Sequence, residues 1–98
     1  MYTVRRLPEF DAWFASVRDR MTSKRLLVRL RKLQLGNLGD HRPVGKGAIE
    51  LREHFGPGWR LYCTRRGETV VVMFGGGDKS TQAADIATAQ ALVENLED

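Results

Sequence analysis

Histidine and cysteine are nearly absent from this chain. Its 98 residues hold two histidines, His41 and His54, and one cysteine, Cys63. A lone cysteine excludes an internal disulfide, and two scattered histidines without supporting cysteines are too few for a zinc site or a histidine relay. No metal and no other cofactor is therefore expected, and a reducing cytoplasm is the natural setting. Long apolar runs are missing too. The longest, Val70 to Phe74, is far too short to span a bilayer. Arg5 and Arg6 lead into Pro8, Glu9 and Asp11 rather than into the apolar core of a signal peptide, so no membrane partner is expected. Internal repeats and low-complexity tracts are also lacking. With 42% hydrophobic and 29% charged residues, the composition is that of one globular domain over residues 1–98.

Acidic residues are scarce in the first two thirds of the chain. Residues 1–66 carry 15 Lys/Arg against 6 Asp/Glu, and residues 67–98 carry 1 against 6, so a net +9 is followed by −5. Such a basic stretch suits a polyanion, RNA or DNA, with affinity that falls as salt rises.

What is present has clear periodicity. Tyr2–Leu7 alternates loosely and reads as a strand, closed by Pro8, a residue favoured in the first turn of a helix. Phe10, Trp13, Phe14, Val17 and Met21 recur at helical spacing and predict its buried face, with Glu9 and Asp11 near the positive end of the dipole. Thr22 and Ser23 offer a cap for a second helix, with Leu26, Leu27, Leu30 and Leu33 as its core face and Gly36 as its stop. Lys24, Arg25, Arg29, Arg31 and Lys32 fall on the remaining, solvated faces. His41–Val44 reads as a short strand, and Ala48–Phe55, Trp59–Arg65 and Thr69–Phe74 as strands joined by hairpin-length turns. Gly75-Gly76-Gly77 is expected to break the last strand. A final helix then runs from Ser80 or Thr81 to Leu96 on a narrow seam of Ile86, Ala89, Val93 and Leu96. The fold class is α+β: an antiparallel, mixed-edge sheet of about five strands on an N-terminal helical hairpin, with a C-terminal helix.

Alternation along a strand puts Glu50, Arg52 and His54 on one face, and Arg60, Tyr62 and Thr64 on one face of the next. Paired, these strands predict a cationic sheet surface with one carboxylate and one phenol. That surface suits RNA cleavage without a metal, in which the 2′-hydroxyl attacks the adjacent phosphate. Arg52, Arg60 and Lys79 can hold the phosphate and the charge that builds on it, because a guanidinium forks onto phosphate oxygens and keeps its charge. Glu50 or His54 can accept the proton, and Tyr62 or Lys79 can supply one. Arg25, Arg29, Lys32, Lys46 and Tyr62 are the candidate RNA-binding residues. The competing reading is a surface ion pair of Glu50 with Arg52 or Arg60 and no catalysis. Gly75 to Ser80 superficially matches a phosphate-binding loop, but Asp78 and Met73 stand where it needs glycines, which argues against a nucleoside triphosphatase. What remains there is an anion site of free N–H groups and Lys79 at a helix start.

The element order and five motifs carry a further likeness: Gly36-Asn37-Leu38-Gly39-Asp40, Val44-Gly45, Glu50-Leu51-Arg52, Gly56-Pro57-Gly58-Trp59-Arg60-Leu61-Tyr62 and Gly76-Gly77-Asp78-Lys79-Ser80-Thr81-Gln82. Together they resemble the RelE/ParE toxin superfamily, most of all its HigB-type addiction module killer branch. The resemblance implies a bacterial type II toxin and a small cognate antitoxin, usually with a helix-turn-helix domain, through which alone the pair would reach operator DNA. RelE and HigB toxins cut messenger RNA, generally on the ribosome, whereas ParE toxins share the fold and inhibit DNA gyrase. By motif matching, Arg52 and Arg60 fall on the arginines of the RelE sheet, and Lys79 falls where that group places a late arginine or lysine. Glu50 stands where RelE usually has a lysine, and RelE's C-terminal tyrosine has no counterpart here. The expectation is a cytoplasmic, metal-independent mRNA endonuclease that inhibits translation on ribosome-bound messages. A ParE-type, non-enzymatic gyrase inhibitor is the alternative.

Overall fold

The computed structural model describes residues 1–68 and 70–96. Its elements are β1 (Thr3–Arg6), α1 (Pro8–Ser16), α2 (Arg20–Gln34), β2 (His41–Gly45), β3 (Ala48–Arg52), β4 (Arg60–Arg66), β5 (Val70–Gly77), a 3-10 turn (Lys79–Thr81) and α3 (Gln82–Asn95). The strands form one sheet in the order β1-β5-β4-β3-β2, with β1 parallel to β5 and the other pairs antiparallel. This is the α+β arrangement expected from the sequence: a mixed five-stranded sheet, a helical hairpin from the N-terminal half and a C-terminal helix.

The sheet separates two cores. On one side Leu51, Leu61, Cys63, Val71 and Met73 pack with Phe10 of α1 and Leu26, Leu30 and Leu33 of α2. On the other, Ala48, Tyr62, Val72 and Phe74 pack with Ala89, Ile86 and Val93 of α3, the seam expected for that helix. β5 lies inside the sheet with both faces covered, so Val71 to Phe74 are all buried. That double burial explains a continuous apolar run where a half-exposed strand would alternate.

Several boundaries differ from the sequence reading, each for a local reason. α1 stops at Ser16, and Met21 belongs to α2 as an exposed residue, not to the buried face of α1. The cap of α2 is Asp19, not Thr22 or Ser23: its carboxylate accepts from Thr22 N at 3.0 Å and Thr22 Oγ1 at 2.8 Å. An anionic cap answers both free N–H groups and the helix dipole. Leu27 is largely exposed, since the core side of α2 is set by Leu26, Leu30 and Leu33. The other end of α2 closes as expected at Gly36, whose φ of +94° lets Asn37 N reach Lys32 O and Gly36 N reach Leu33 O, both at 2.9 Å.

The triple glycine does not break its strand. Gly75, Gly76 and Gly77 continue β5 opposite Tyr62, Leu61 and Arg60. Gly76 and Gly77 lack side chains because neighbours fill the space: a Cβ on Gly76 would stand 2.4 Å from the Trp13 ring, and one on Gly77 2.0 Å from Asp85 Oδ2. Thr69, the first residue of that expected strand, lies outside the described residues. No described helix is long and apolar enough to cross a membrane.

Candidate functional site

Antiparallel pairing sets Glu50 opposite Tyr62 and Arg52 opposite Arg60, so the shared face expected from alternation exists. It is not an open cationic surface. α3 lies over its middle, and Glu50, Tyr62 and Arg60 are 0%, 1% and 4% exposed. The Glu50 carboxylate is the hub of a buried network. Arg42 Nε donates to Oε1 at 2.9 Å, Gln82 Nε2 to Oε2 at 2.8 Å and the Tyr62 hydroxyl to Oε2 at 3.1 Å. Arg60 Nε lies 3.9 Å from Oε1 and makes no hydrogen bond, while its Nη1 donates to the carbonyls of Glu53 and Trp59. Burial by itself would raise the Glu50 pKa, yet the hydrogen bonds from Gln82 and Arg42, the Arg42 charge and the Tyr62 hydroxyl together hold it below the ordinary value. Burial foremost, then the Glu50 charge, pushes the Tyr62 phenol far up. In this arrangement Glu50 and Tyr62 serve each other and α3, and neither reaches a substrate in solvent.

The reachable chemistry lies at the rim, where β2 begins and β3 ends. Arg52 donates to Asp40 Oδ1 through Nη2 at 2.7 Å and Nε at 3.2 Å, and His54 Nε2 meets Asp40 Oδ2 at 2.5 Å. Hydrogen bonds from Arg52 and His54 hold the Asp40 carboxyl at a pKa of about 2. An ionised carboxylate can only accept, so Nε2 of His54 carries the hydrogen and the lone pair of a neutral ring sits on Nδ1. His54 also lines a groove of about 400 Å³ between α2 and the β3–β4 connection, together with Arg25, Val28, Lys32, Glu53 and Phe55. The Arg25 guanidinium stands 4.4 Å over the Phe55 ring, a cation–π contact that fixes the charge at the groove wall.

Lys79 is exposed, and its stem lies against the turn before Arg60: a Cβ on Gly58 would be 3.0 Å from Lys79 carbons. Arg60 pairs with Arg52 on one side and Gly77 on the other, so Arg52, Arg60 and Lys79 gather at one end of the sheet. Other candidates lie elsewhere. Lys46 sits in the β2–β3 turn at the far end of β3 and pairs with Glu94 of α3 at 3.0 Å. Arg29, expected on a solvated face, is buried at 5% exposure. It donates to the carbonyls of Arg52, Leu38 and Asp40 at 2.7–2.8 Å and to the Glu53 carboxylate, so it braces the rim from inside instead of touching RNA.

Asp40, Arg42 and Gln82 were missed by sequence reasoning. A signal existed for the first two: with His41 opposite Leu51 and Arg42 opposite Glu50, the hairpin register carries Asp40 to Arg52. Gln82 gave none, because only the docking angle of α3 brings it to Glu50. Among the described residues, no group of three or more His, Cys, Asp and Glu is placed to hold a metal ion.

No family model matches the chain. A Haemophilus influenzae protein described as "Uncharacterized protein" is 37% identical over 87 residues, which cover 89% of this chain and 88% of the relative. The chain belongs to the family of that Haemophilus protein.

Proposed function

We propose that this protein is the toxin of a type II toxin–antitoxin pair, a metal-independent endoribonuclease that cuts messenger RNA in the cytoplasm. The observation that carries this reading is the rim cluster: a histidine oriented by an anionic aspartate, beside an arginine held by the same aspartate and a groove walled by Arg25 and Lys32. The likeness of its glycine and arginine motifs to the HigB-type branch supports the same reading, and with it a neutralising antitoxin and a ribosome-bound substrate.

In the proposed reaction Arg25 and Lys32 hold the RNA backbone electrostatically, and Arg52 draws the scissile phosphate to the rim. His54 Nδ1 takes the 2′-hydroxyl proton as the 2′-oxygen bonds to phosphorus. The bond from phosphorus to the 5′-oxygen breaks, and that oxygen takes a proton from Lys79. A positioned proton-transfer group of this kind contributes roughly 10² to 10⁴ in rate. Glu50, Arg60 and Tyr62 shape the sheet end beneath the reacting groups. The test is to map RNA 5′ ends in a translating extract after adding the protein, its His54→Ala variant and its Arg52→Ala variant. New ends with the parent and their loss with both variants are expected. Intact messages with the parent protein would sink the reading.

Burial of Glu50, Arg60 and Tyr62 under α3 favours a second reading, a ParE-like protein that acts through its surface and inhibits DNA gyrase without catalysis. Trapped gyrase–DNA complexes in a supercoiling assay, without RNA fragments, would select it.

A further inference from the structure

Among the described residues, the large apolar side chains left in solvent are Met1, Met21, Leu27, Val28 and Leu35, at 48–87% exposure. Single exposed hydrophobics are ordinary, but these are not scattered. Met21, Val28 and Leu35 stand seven residues apart along α2 and its C-cap. Seven residues bring a helix back to within about 20° of its starting direction, so the three form one straight stripe. It runs on the side of α2 away from the buried Leu26, Leu30 and Leu33. Half-way along each interval stands a cationic pair, Lys24–Arg25 and Arg31–Lys32, all exposed, and α2 contains no acidic residue. At its lower end Leu35 shares a shallow pocket with Met1 and Tyr2, which extends the apolar surface past the helix end.

We infer that this stripe is the docking surface for one amphipathic helix of a partner protein, with an aliphatic residue at every seventh position and Asp or Glu between. The apolar residues of such a helix would remove Met21, Val28 and Leu35 from water. Its carboxylates would meet the cationic pairs, which specify the partner's charge. A second copy of this chain fits poorly, since its own stripe would set cation against cation. Nucleic acid fits poorly as well, because phosphates gain nothing from methionine, valine and leucine. Arg25, Val28 and Lys32 also line the His54 groove, so a seated helix would close that groove to a polyanion. This last consequence rests on the ribonuclease reading; the docking surface itself does not.

The probe is a labelled synthetic helix of about 22 residues, longer than the 15-residue α2 so that it covers the whole stripe, with leucine at every seventh position and glutamates three and four positions after each. Fluorescence anisotropy compares it with a scrambled peptide of the same composition and with a lysine-for-glutamate version. The acidic helix is expected to bind about tenfold or more tightly than either control. Binding should fall about tenfold in the triple variant Met21→Gln, Val28→Gln, Leu35→Gln, and again in Lys24→Gln, Arg31→Gln, with circular dichroism verifying the folds. Equal binding of the scrambled peptide, or an unaffected triple variant, overturns the inference. It also falls if the triple substitution abolishes a self-association seen by sedimentation of the protein alone, or instead weakens binding of a short oligouridine. Selective peptide binding without RNA cleavage retires the ribonuclease reading alone, and cleavage without selective binding retires the docking surface alone.

Discussion

Asp40 and Arg52 face each other at the open end of the β2–β3 hairpin, joined through the Arg52 side chain at 2.7 Å and through the bond from Arg52 N to Asp40 O at 2.9 Å. The second carboxylate oxygen of Asp40 is taken by His54. One residue thus fixes both a guanidinium and an imidazole.

Replacing Asp40 by Asn keeps the size and removes the anionic acceptor. His54 then loses the partner that sets its tautomer, and on the proposed ribonuclease reading the RNA-cleavage kcat is expected to fall by about a hundredfold with KM changed far less. Single-turnover cleavage over a range of RNA concentrations separates the two. An unchanged kcat would remove Asp40 and His54 from the mechanism.

The acid side of the Asp40 cluster follows from linkage. Asp40 is held at about 2 against an ordinary 3.8, so the Arg52 and His54 contacts are complete above pH 3.8 and are lost as pH falls toward 2. Carboxyl NMR should give Asp40 a midpoint well under 3.8, and the Arg52→Ala variant should move it upward.

Glu50 gives a second, buried case with the same sign. Its pKa lies below 4.5, so its contribution to stability is complete above that pH and drains away under acid conditions. Glu50→Ala leaves Arg60 in the interior without its carboxylate, which should cost about 3–5 kcal/mol in urea unfolding at neutral pH. Loss of less than about 1 kcal/mol would mean that water replaces the carboxylate freely.

Arg29 tests the bracing role assigned to it. Arg29→Ala strips hydrogen bonds from the carbonyls of Leu38, Asp40 and Arg52 and from Glu53, and should cost about 3 kcal/mol or more. Lys32→Ala, at an exposed site on the same helix, should stay within about 0.5 kcal/mol and reduce only RNA affinity.

The adjacent glycines separate sharply. Gly76→Ala drives a methyl into the Trp13 ring and the Arg60 carbonyl, and should destabilise by about 1–3 kcal/mol. Gly75→Ala meets nothing within 4 Å and should leave the thermal midpoint nearly unchanged.

Much of this molecule was legible in one dimension because its signals are local. The Phe10–Trp13–Phe14 spacing, the stop at Gly36 and the runs around Leu51, Leu61 and Val71 each follow from periodicity or backbone freedom within a few residues. They were enough to give the mixed sheet, the hairpin and the last helix, and to put Arg52 and Arg60 on one sheet face. Even the seven-residue recurrence of Met21, Val28 and Leu35 is visible in the letters. What they do on the surface was not, because the end of α1 at Ser16 and the Asp19 cap that starts α2 decide which helix Met21 joins.

The accessibility of each charge was decided only in three dimensions. Arg29 and Lys32 look alike in the chain, yet one is walled in by the carbonyls of Leu38, Asp40 and Arg52 and the other stands in solvent. Glu50 and Arg60 alternate toward the same face as Arg52, but α3 returns across the sheet and buries the first two while leaving the rim open. Periodicity names the face a side chain points to. Whether that face meets water or another element depends on long-range packing, where the cost of burying a charge is met by partners far away in sequence, and no local pattern records them.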